Sequence, residues 1–245
     1  MLFITKNNFA RFRINVMTQE QIKALAGKID HTLLKPDSTN FQIEMLCKEA
    51  KDHAFASVCV LPHYVSYARN LLDGSGIKVC TVIGFPLGST YTATKITEAE
   101  EALENGADEF DMVMNISAFK NEDYILVQDD IEALVQFVSL NNKQIKIIIE
   151  SSLLTLDEKI KASVIVSNTH ADYIKTSTGF STGGATTEDV RLLREHCNDT
   201  VKIKASGGIR DLDFALELID AGADRLGTSS GVNIIEEANK RLQNI

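Results

Sequence analysis

The sequence predicts an α/β protein built as a single (β/α)8 (TIM) barrel. Eight short runs rich in β-branched residues recur along the chain, and amphipathic helical patterns separate them. Strands that alternate with helices in this way form a parallel sheet through crossover connections. Because only three prolines and no low-complexity linker interrupt the 245 residues, we expect one closed barrel. An open doubly wound sheet is the alternative fold.

The strands are predicted from their β-branched content and the helices from their apolar periodicity. In chain order the predicted strands are 29–33, 56–60, 79–84, 109–115, 145–150, 173–178, 201–205 and 225–228. The predicted helices are an extra N-terminal helix at 18–27, then 41–52, 65–72, 95–105, 123–140, 156–167, 188–197, 214–220 and 234–242. Short Ala-Asp phrases within 105–108, 170–172 and 221–224 stand just before strands, as the helix-to-strand turn of a repeated unit would.

The first 17 residues precede the predicted barrel. They carry Lys6, Arg11 and Arg13 but no acidic residue, a faint similarity to a transit peptide, and they lack the long apolar centre of a signal peptide. We therefore predict a flexible N-terminal extension over 1–17, with Met17 as an alternative start. The catalytic barrel domain is predicted over 18–245.

Charge and composition argue against several classes of partner. The net charge of −9 opposes binding to nucleic acid, and no stretch approaches the ~18 consecutive apolar residues that a membrane helix needs. The five histidines lack the HxH or HExxH spacing of a metal site. The four cysteines stand far apart without a CxxC pair. We expect a metal-free protein of the reducing cytoplasm.

Two lysines occupy inward positions on neighbouring predicted strands. Lys175 lies in the middle of the strand at 173–178, and Lys204 has a similar height on the next strand. The interior of such a barrel is normally filled by bulky apolar side chains. Two ammonium groups in a partly desolvated cavity repel each other, and the lower-energy state leaves one lysine neutral. A neutral lysine attacks carbonyl groups and forms an imine.

Asp111 on the fourth strand is the candidate group for proton transfer. Its neighbours Phe110 and Met112 are apolar, and placing them against the helices turns Asp111 into the barrel because strand side chains alternate. Further candidates for a polar interior network are Asp30, Lys146 and Glu150. Any one of these charged residues alone could be a solvated edge residue or an ordinary ion-pair member. The coincidence of Lys175, Lys204 and Asp111 in one barrel favours catalysis.

Glycine-containing loops follow the last two predicted strands. They read Ser-Gly-Gly-Ile-Arg at 206–210 and Gly-Thr-Ser-Ser-Gly at 227–231. In (β/α)8 barrels the loops after strands seven and eight commonly bind phosphate through backbone N–H groups and a helix N-terminus. The predicted phosphate ligands are Gly207, Gly208, Arg210, Ser229 and Ser230. Two ordinary glycine turns are the alternative.

Cys59 and Cys80 lie among apolar neighbours, and we interpret both as small core residues.

These motifs together resemble the deoxyribose-phosphate aldolases, a family of class I aldolases. The matching segments are IDHTLLKP at 29–36, ASVCV at 56–60, VCTVIGFPLG at 79–88, EFDMVMN at 109–115, KIIIE at 146–150, YIKTSTG at 173–179, KASGGIR at 204–210 and GTSS at 227–230. They cover the chain from about residue 18 to its end, in the family's order. One departure is the C-terminus, which lacks the terminal tyrosine that some relatives use in proton transfer.

The resemblance implies reversible cleavage of 2-deoxy-D-ribose 5-phosphate to D-glyceraldehyde 3-phosphate and acetaldehyde, without a metal or an organic cofactor. The implied setting is deoxyribonucleotide catabolism. The resemblance assigns the Schiff base to Lys175, control of its protonation and proton donation to Lys204, and proton relay to Asp111. Supporting residues that it implies are Asp30 and Lys146 in the polar network, Cys59 near the substrate pocket, and Gly179 beside the phosphate loops.

Other functions remain open at this point. A phosphosugar-binding barrel without chemistry would serve as a sensor or scaffold, and a different Schiff-base aldolase or an isomerase would act on another sugar phosphate. In each case the expected partner is a small phosphorylated sugar. We also expect a homodimer or a homotetramer.

Overall fold

The computed structural model describes residues 16–242 and confirms the closed barrel of parallel strands. Each strand pairs with the next one along the chain, and the last strand pairs with the first. The strands are β1 Ile29–Leu33, β2 Ser57–Val60, β3 Lys78–Ile83, β4 Glu109–Val113, β5 Gln144–Ile148, β6 Tyr173–Lys175, β7 Lys202–Ser206 and β8 Arg225–Thr228. The order of the strands therefore follows the order of the sequence around the whole barrel.

Helices cover the outside of the barrel. They are α1 Gln19–Ala26, α2 Asn40–His53, α3 Val65–Leu71, α4 Thr92–Glu104, α5 Ile116–Lys120, α6 Tyr124–Leu140, α7 Leu156–Asn168, α8 Thr187–His196, α9 Leu212–Asp220 and α10 Gly231–Lys240. The predicted extra helix is α1, and it begins with a capping box formed by Thr18 and Gln21. The short α5 was not predicted, because five residues show too little of the helical period. None of the helices in the described range is long and apolar enough to cross a lipid bilayer.

Three strands end two or three residues earlier than the sequence predicted. β4, β5 and β6 end at Val113, Ile148 and Lys175, whereas the predictions extended them to 115, 150 and 178. After Lys175 the chain continues with small hydroxyl residues whose side chains bond to neighbouring backbone. The Thr176 hydroxyl, for example, donates to the carbonyl of Ser206 at 3.2 Å. Such local side-chain bonds compete with the regular ladder, and they start the loops that form the top of the barrel.

The repeated Ala-Asp phrase has a structural role at the bottom of the barrel. In each copy the aspartate carboxylate accepts a hydrogen bond from a backbone N–H on the preceding strand. The pairs are Asp108 with Val79 at 3.1 Å, Asp172 with Ile145 at 2.8 Å, and Asp224 with Ile203 at 2.9 Å. The aspartate therefore ties the start of each of these strands to its neighbour, which explains why the phrase recurs.

Most of the apolar core lies between the barrel and the helices. Phe110, Met112 and Met114 belong to this layer, and all three are fully buried, as the alternation along the fourth strand predicted. Met17 is also buried, and its backbone N–H donates to the carbonyl of Arg241 at 2.5 Å. The predicted flexible extension falls on residues that, apart from Val16 and Met17, lie outside the described part of the chain, so it stays a prediction.

Candidate active site

The predicted charged residues meet inside the barrel because their strands bring them into register. Lys175 on β6 and Lys204 on β7 are direct partners across the two strands. On the two strands that precede them in the barrel, Asp111 on β4 is the direct partner of Lys146 on β5. Paired residues on neighbouring parallel strands point to the same face of the sheet, so all four side chains enter the interior.

Asp111 is the centre of this group. Its Oδ2 atom accepts from Lys175 Nζ at 2.7 Å and from Lys204 Nζ at 2.6 Å. Its other oxygen, Oδ1, accepts from Lys146 Nζ at 2.9 Å. The expected proximity of the two lysines is therefore present, but a carboxylate stands between their ammonium groups and attracts both of them.

Two carboxylates and an arginine extend the group into a closed ring of ion pairs. Lys204 Nζ also lies 2.6 Å from Asp30 Oδ2, and Lys146 Nζ lies 2.7 Å from Glu109 Oε2. Arg225 completes the ring, since its Nε donates to Asp30 Oδ1 at 2.9 Å and its Nη2 lies 3.0 Å from Glu109 Oε2. The ring runs in the order Asp111, Lys204, Asp30, Arg225, Glu109, Lys146 and back to Asp111.

Burial and charge together determine the protonation of the ring. Burial alone would raise the pKa of Asp111, but Lys146, Lys175 and Lys204 hold this pKa well below its usual range. Burial alone would lower the pKa of Lys204, yet Asp111 and Asp30 raise it above its usual range. The pKa of Lys146 is raised for the same reason, by Asp111 first among its charged neighbours. Asp111, Lys146 and Lys204 thus remain charged around neutral pH.

Lys175 differs from the other cations of the group. Lys146, Lys204 and Arg225 each contact two carboxylates of the ring, whereas Lys175 contacts only Asp111 among the described residues. Lys175 is also the only one of these four that lines the large cavity at the top of the barrel. Its amine is therefore the group of this network that a ligand in that cavity can reach.

The cavity has a volume of about 410 Å³ and opens at the carboxyl ends of the strands. Its walls are the loops after β1, β6, β7 and β8. All the predicted phosphate residues line it, namely Gly179, Gly207, Gly208, Arg210, Ser229 and Ser230. A barrel of this type normally carries its active site at this face, and α10 points its N-terminus toward the loop at Ser230.

Two glycines shape the wall of this cavity. Gly208 has φ +79, a conformation that residues with a side chain rarely adopt. Gly227 on β8 lies against Lys204 and Ser206, since a Cβ placed there would be 3.0 Å from Lys204 Cε and from Ser206 Cβ. A side chain at Gly227 would therefore push directly on the ammonium arm of Lys204.

Cys59 lies below the cavity and does not line it among the described residues. It is fully buried in a small apolar cluster with Leu34, Cys80 and Val82, as the interpretation of both cysteines as core residues predicted. A hydrogen bond with Cys80 lowers the pKa of the Cys59 thiol, and burial raises the pKa of the Cys80 thiol. The two thiols and Asp111 are close enough to share an ion, but the three lysine ammonium groups on Asp111 oppose a metal cation there.

Sequence reasoning missed several residues of the site. Glu109 and Arg225 complete the ion-pair ring, and Lys35, Thr32 and Thr228 line the cavity. One signal was available, because Glu109 shares the inward face of β4 with Asp111 by simple alternation. Arg225 and Lys35 gave no comparable signal, since a lone cation at a strand end is usually a solvated surface residue.

Glu150 was a candidate for the polar interior network, and the structure places it elsewhere. The residue follows the end of β5 with φ 50 and ψ 63 in the left-handed region. This conformation interrupts the alternation that would have turned its side chain toward the ring. The carboxylate instead bonds to Thr178, where Oε2 accepts the backbone N–H at 3.1 Å.

Comparison with known proteins shows that this chain is similar to aldolases. A family model described as DeoC/LacD family aldolase matches residues 25–237. The deoxyribose-phosphate aldolase of Streptococcus uberis is 56% identical over 207 residues, covering 84% of this chain and 93% of that protein. The deoxyribose-phosphate aldolase of Clostridium tetani is 52% identical over 210 residues, covering 86% of this chain and 97% of that protein.

A solved structure supports the same relationship at the level of the fold. The tetrameric deoxyribose phosphate aldolase from Aeropyrum pernix superposes with a TM-score of 0.84 and 33% sequence identity. The superposition covers 89% of this chain and 92% of that chain. The similarity in fold therefore extends over most of both chains.

Proposed function

The chain belongs to the DeoC/LacD family of aldolases, and on this premise we propose that it cleaves 2-deoxy-D-ribose 5-phosphate through a Schiff base on Lys175. The products are D-glyceraldehyde 3-phosphate and acetaldehyde, and the reaction is reversible. The substrate is proposed from the similarity to the Streptococcus uberis and Clostridium tetani enzymes. The assignment of Lys175 rests on the geometry of this chain.

One observation carries that assignment: the ion-pair ring is neutral without Lys175. The ring holds three carboxylates and three cations, and every member contacts two partners of opposite charge. Lys175 is a fourth cation with a single carboxylate partner. Asp111 keeps Lys146 and Lys204 as partners without Lys175, so Lys175 can form a covalent bond without leaving a buried carboxylate unpaired. An uncharged amine is the form that attacks a carbonyl.

The proposed chemistry uses this amine first as a nucleophile and then as an electron sink. The Lys175 nitrogen attacks C1 of the open-chain sugar, and loss of water leaves a protonated imine. The bond between C2 and C3 then breaks, its electron pair moves toward the imine nitrogen, and the C3 hydroxyl loses its proton as glyceraldehyde 3-phosphate forms. The remaining enamine takes a proton at C2, and water releases acetaldehyde.

Lys204 and Asp111 have proposed supporting roles in these steps. Lys204 Nζ and Lys175 Nζ share the same oxygen of Asp111, so the imine forms beside a permanent ammonium group and a carboxylate. We assign proton donation to Lys204 and proton relay to Asp111. Asp30 and Lys146 hold these two groups in place through the ring.

The phosphate group is proposed to bind at the opposite end of the cavity from Lys175. Backbone N–H groups near Gly207 and Gly208 and the loop at Ser229 and Ser230 offer donors, as anion sites at helix N-termini do. Arg210 adds positive charge at this position. Lys35, on the loop after β1, lines the same cavity and supplies a second cation.

The test is reductive trapping of the Schiff base. Incubation with acetaldehyde and borohydride should leave an ethyl group on Lys175, located by peptide mass spectrometry. Lys175→Met should abolish this adduct, while Lys202→Met, at an exposed lysine on β7, should retain it. Absence of an adduct on the unaltered protein, or an adduct confined to other lysines, would contradict the proposed role of Lys175.

We also propose a homo-oligomer, either a dimer or a tetramer, located in the cytoplasm. The tetrameric enzyme of Aeropyrum pernix supports an oligomer, and light scattering on the purified protein would measure the state. The four cysteines are free and buried, as expected for a reducing compartment. A strictly monomeric protein at micromolar concentration would contradict the first proposal.

A further inference from the structure

Glu150 is the exception among the buried carboxylates of the described residues. Six carboxylate side chains are buried within residues 16–242, and five of them contact a lysine or an arginine. Within this range Glu150 contacts neither. The six residues are Asp30, Glu109, Asp111, Asp130, Glu150 and Asp189. Buried carboxylates generally need a cation or several hydrogen bonds, so the lack of a cation at Glu150 requires an explanation.

The two oxygens of Glu150 have different surroundings. Oε2 accepts from the backbone N–H of Thr178 at 3.1 Å and also from the Thr178 hydroxyl. Oε1 is buried and has no hydrogen-bond partner in the described part of the protein. The residue as a whole is only 2% exposed. One carboxylate oxygen is therefore held by Thr178, and the other has its acceptor capacity unused.

Glu150 lines a second cavity, which we call the side chamber. It has a volume of about 320 Å³ and lies between the loops after β3, β4, β5 and β6. The loop after β6 separates it from the first cavity, because Thr178 and Phe180 line both. Lys175 does not line the side chamber, so a ligand there would not contact the reacting atoms.

The remaining walls of the side chamber combine hydroxyl groups with exposed apolar side chains. Ser89, Ser117 and Ser181 contribute the hydroxyls. Around the opening, Leu87 is 71% exposed, Phe180 is 51% exposed and Leu153 is 43% exposed. Apolar groups gathered around a concave opening are typical of a ligand site.

We propose that the side chamber binds a small organic cation that carries a primary ammonium group and a short apolar tail. In this proposal the carboxylate turns Oε1, which is buried without the ligand, toward the chamber, and the ammonium donates to it and supplies the cation that each other buried carboxylate already has. Its remaining N–H groups reach serine hydroxyls of the chamber, and the tail contacts the apolar opening. A neutral alcohol could fill the same volume, but hydrogen bonds to a charged donor are roughly twice as strong.

The first experiment compares three probes of nearly equal size: butylammonium, butanol and butyrate. Saturation-transfer NMR and calorimetry on the full-length protein, with no aldehyde present, measure binding. We expect butylammonium to bind at least about tenfold more tightly than butanol, which corresponds to one charge-assisted hydrogen bond. We expect no binding of butyrate, because Glu150 repels a carboxylate.

Two variants locate the site. Glu150→Gln keeps the shape of the side chain and its bonds to Thr178, and it should weaken butylammonium binding about tenfold or more by removing the charge. Ser117→Trp places a large side chain at an exposed position of α5 in the chamber wall, leaves Glu150 itself in the sequence, and should abolish binding by filling the chamber. Ser139→Trp, at an exposed position of α6 outside the chamber, is the matched control and should bind normally.

Lys175→Met separates this site from the proposed active site. Butylammonium should bind this variant as tightly as the unaltered protein, since the chamber does not include the lysine. The proposal fails if butanol binds as tightly as butylammonium, if Ser117→Trp leaves binding unchanged, or if no probe binds. Should Glu150→Gln not fold, the two tryptophan variants still decide the question.

Discussion

Lys175 and Lys204 stand side by side on neighbouring strands, and their Nζ atoms lie 2.7 and 2.6 Å from the same oxygen of Asp111. The two lysines nevertheless have different environments. Lys204 contacts a second carboxylate, Asp30, and is fully buried, whereas Lys175 has one carboxylate partner and lines the cavity. The same pair of side chains thus provides a permanent cation and an amine that a substrate can reach.

The first prediction concerns the permanent cation. Lys204→Met removes the ammonium group beside Lys175 and should lower kcat/KM by about 100-fold or more, the usual scale for a group that assists proton transfer. The rate of acetaldehyde trapping on Lys175 should fall as well. Steady-state kinetics and timed borohydride trapping measure the two effects.

A matched control for this variant exists outside the active site. Lys95 is also fully buried and pairs with one buried aspartate, Asp130, at 2.5 Å. Lys95→Met should lower the free energy of unfolding on the order of 3–5 kcal/mol, because it leaves the aspartate without its cation, and it should leave trapping in the folded protein unchanged. Equal losses of trapping in both variants would mean that Lys204 acts only through stability.

The second prediction concerns recognition of phosphate by Lys35. Lys35→Ala should raise KM for 2-deoxyribose 5-phosphate about tenfold, since a charge-assisted contact to phosphate is lost. Activity on 2-deoxyribose without the phosphate should not change. Lys48→Ala, at an exposed lysine of α2 outside the cavity, is the control. A proportional loss on both sugars would show that Lys35 does not act on the phosphate.

The third prediction uses the close approach of Gly227 to Lys204. Gly227→Ala places a methyl group 3.0 Å from both Lys204 Cε and Ser206 Cβ, so we expect the Lys204 side chain to shift from its place beside Asp111. We expect kcat to fall at least about tenfold, because small displacements of positioned groups are costly in catalysis. Gly27→Ala is the control, since the nearest atom to its new Cβ is 3.6 Å away. A crystal structure of Gly227→Ala with Lys204 unmoved would contradict this explanation.

The fourth prediction concerns stability in acid. Neighbouring cations hold the pKa values of Asp30 and Asp111 below their usual range in the folded protein, whereas an unfolded aspartate has a pKa of about 3.9. As the pH falls through about 4, the unfolded chain takes up protons that these folded aspartates do not. The free energy of unfolding should therefore fall with decreasing pH in this range.

Asp111→Asn removes one of these carboxylates and should make the acid-dependent decline shallower, although the variant starts from a lower stability. Urea unfolding between about pH 5 and pH 3 measures the slope, over the range in which such groups lose their contribution. Asp199→Asn, at an exposed aspartate, should keep the original slope. A slope in Asp111→Asn equal to that of the unaltered protein would contradict the prediction.

Local patterns in the sequence were sufficient for the barrel and for the central residues of the site. Runs of β-branched residues and amphipathic periods identified every strand of the described barrel. Alternation along β4 placed Asp111 inside, because successive side chains of a strand point to opposite faces. The predicted ends of β4, β5 and β6 were wrong, since β-propensity does not describe the local features that end them: the N-cap residue Asn115 after β4, the left-handed Glu150 after β5 and hydroxyl side chains after β6.

The sequence by itself therefore determined that Lys175, Lys204 and Asp111 face the interior, because that property depends on near neighbours and a period of two. Only the tertiary structure decided which of them touch. Closure of the barrel pairs β8 with β1, and this brings Arg225 to Asp30 across nearly the whole length of the chain. It also decided that Glu150 turns away toward Thr178. Such contacts join residues distant in sequence, and no local period encodes them.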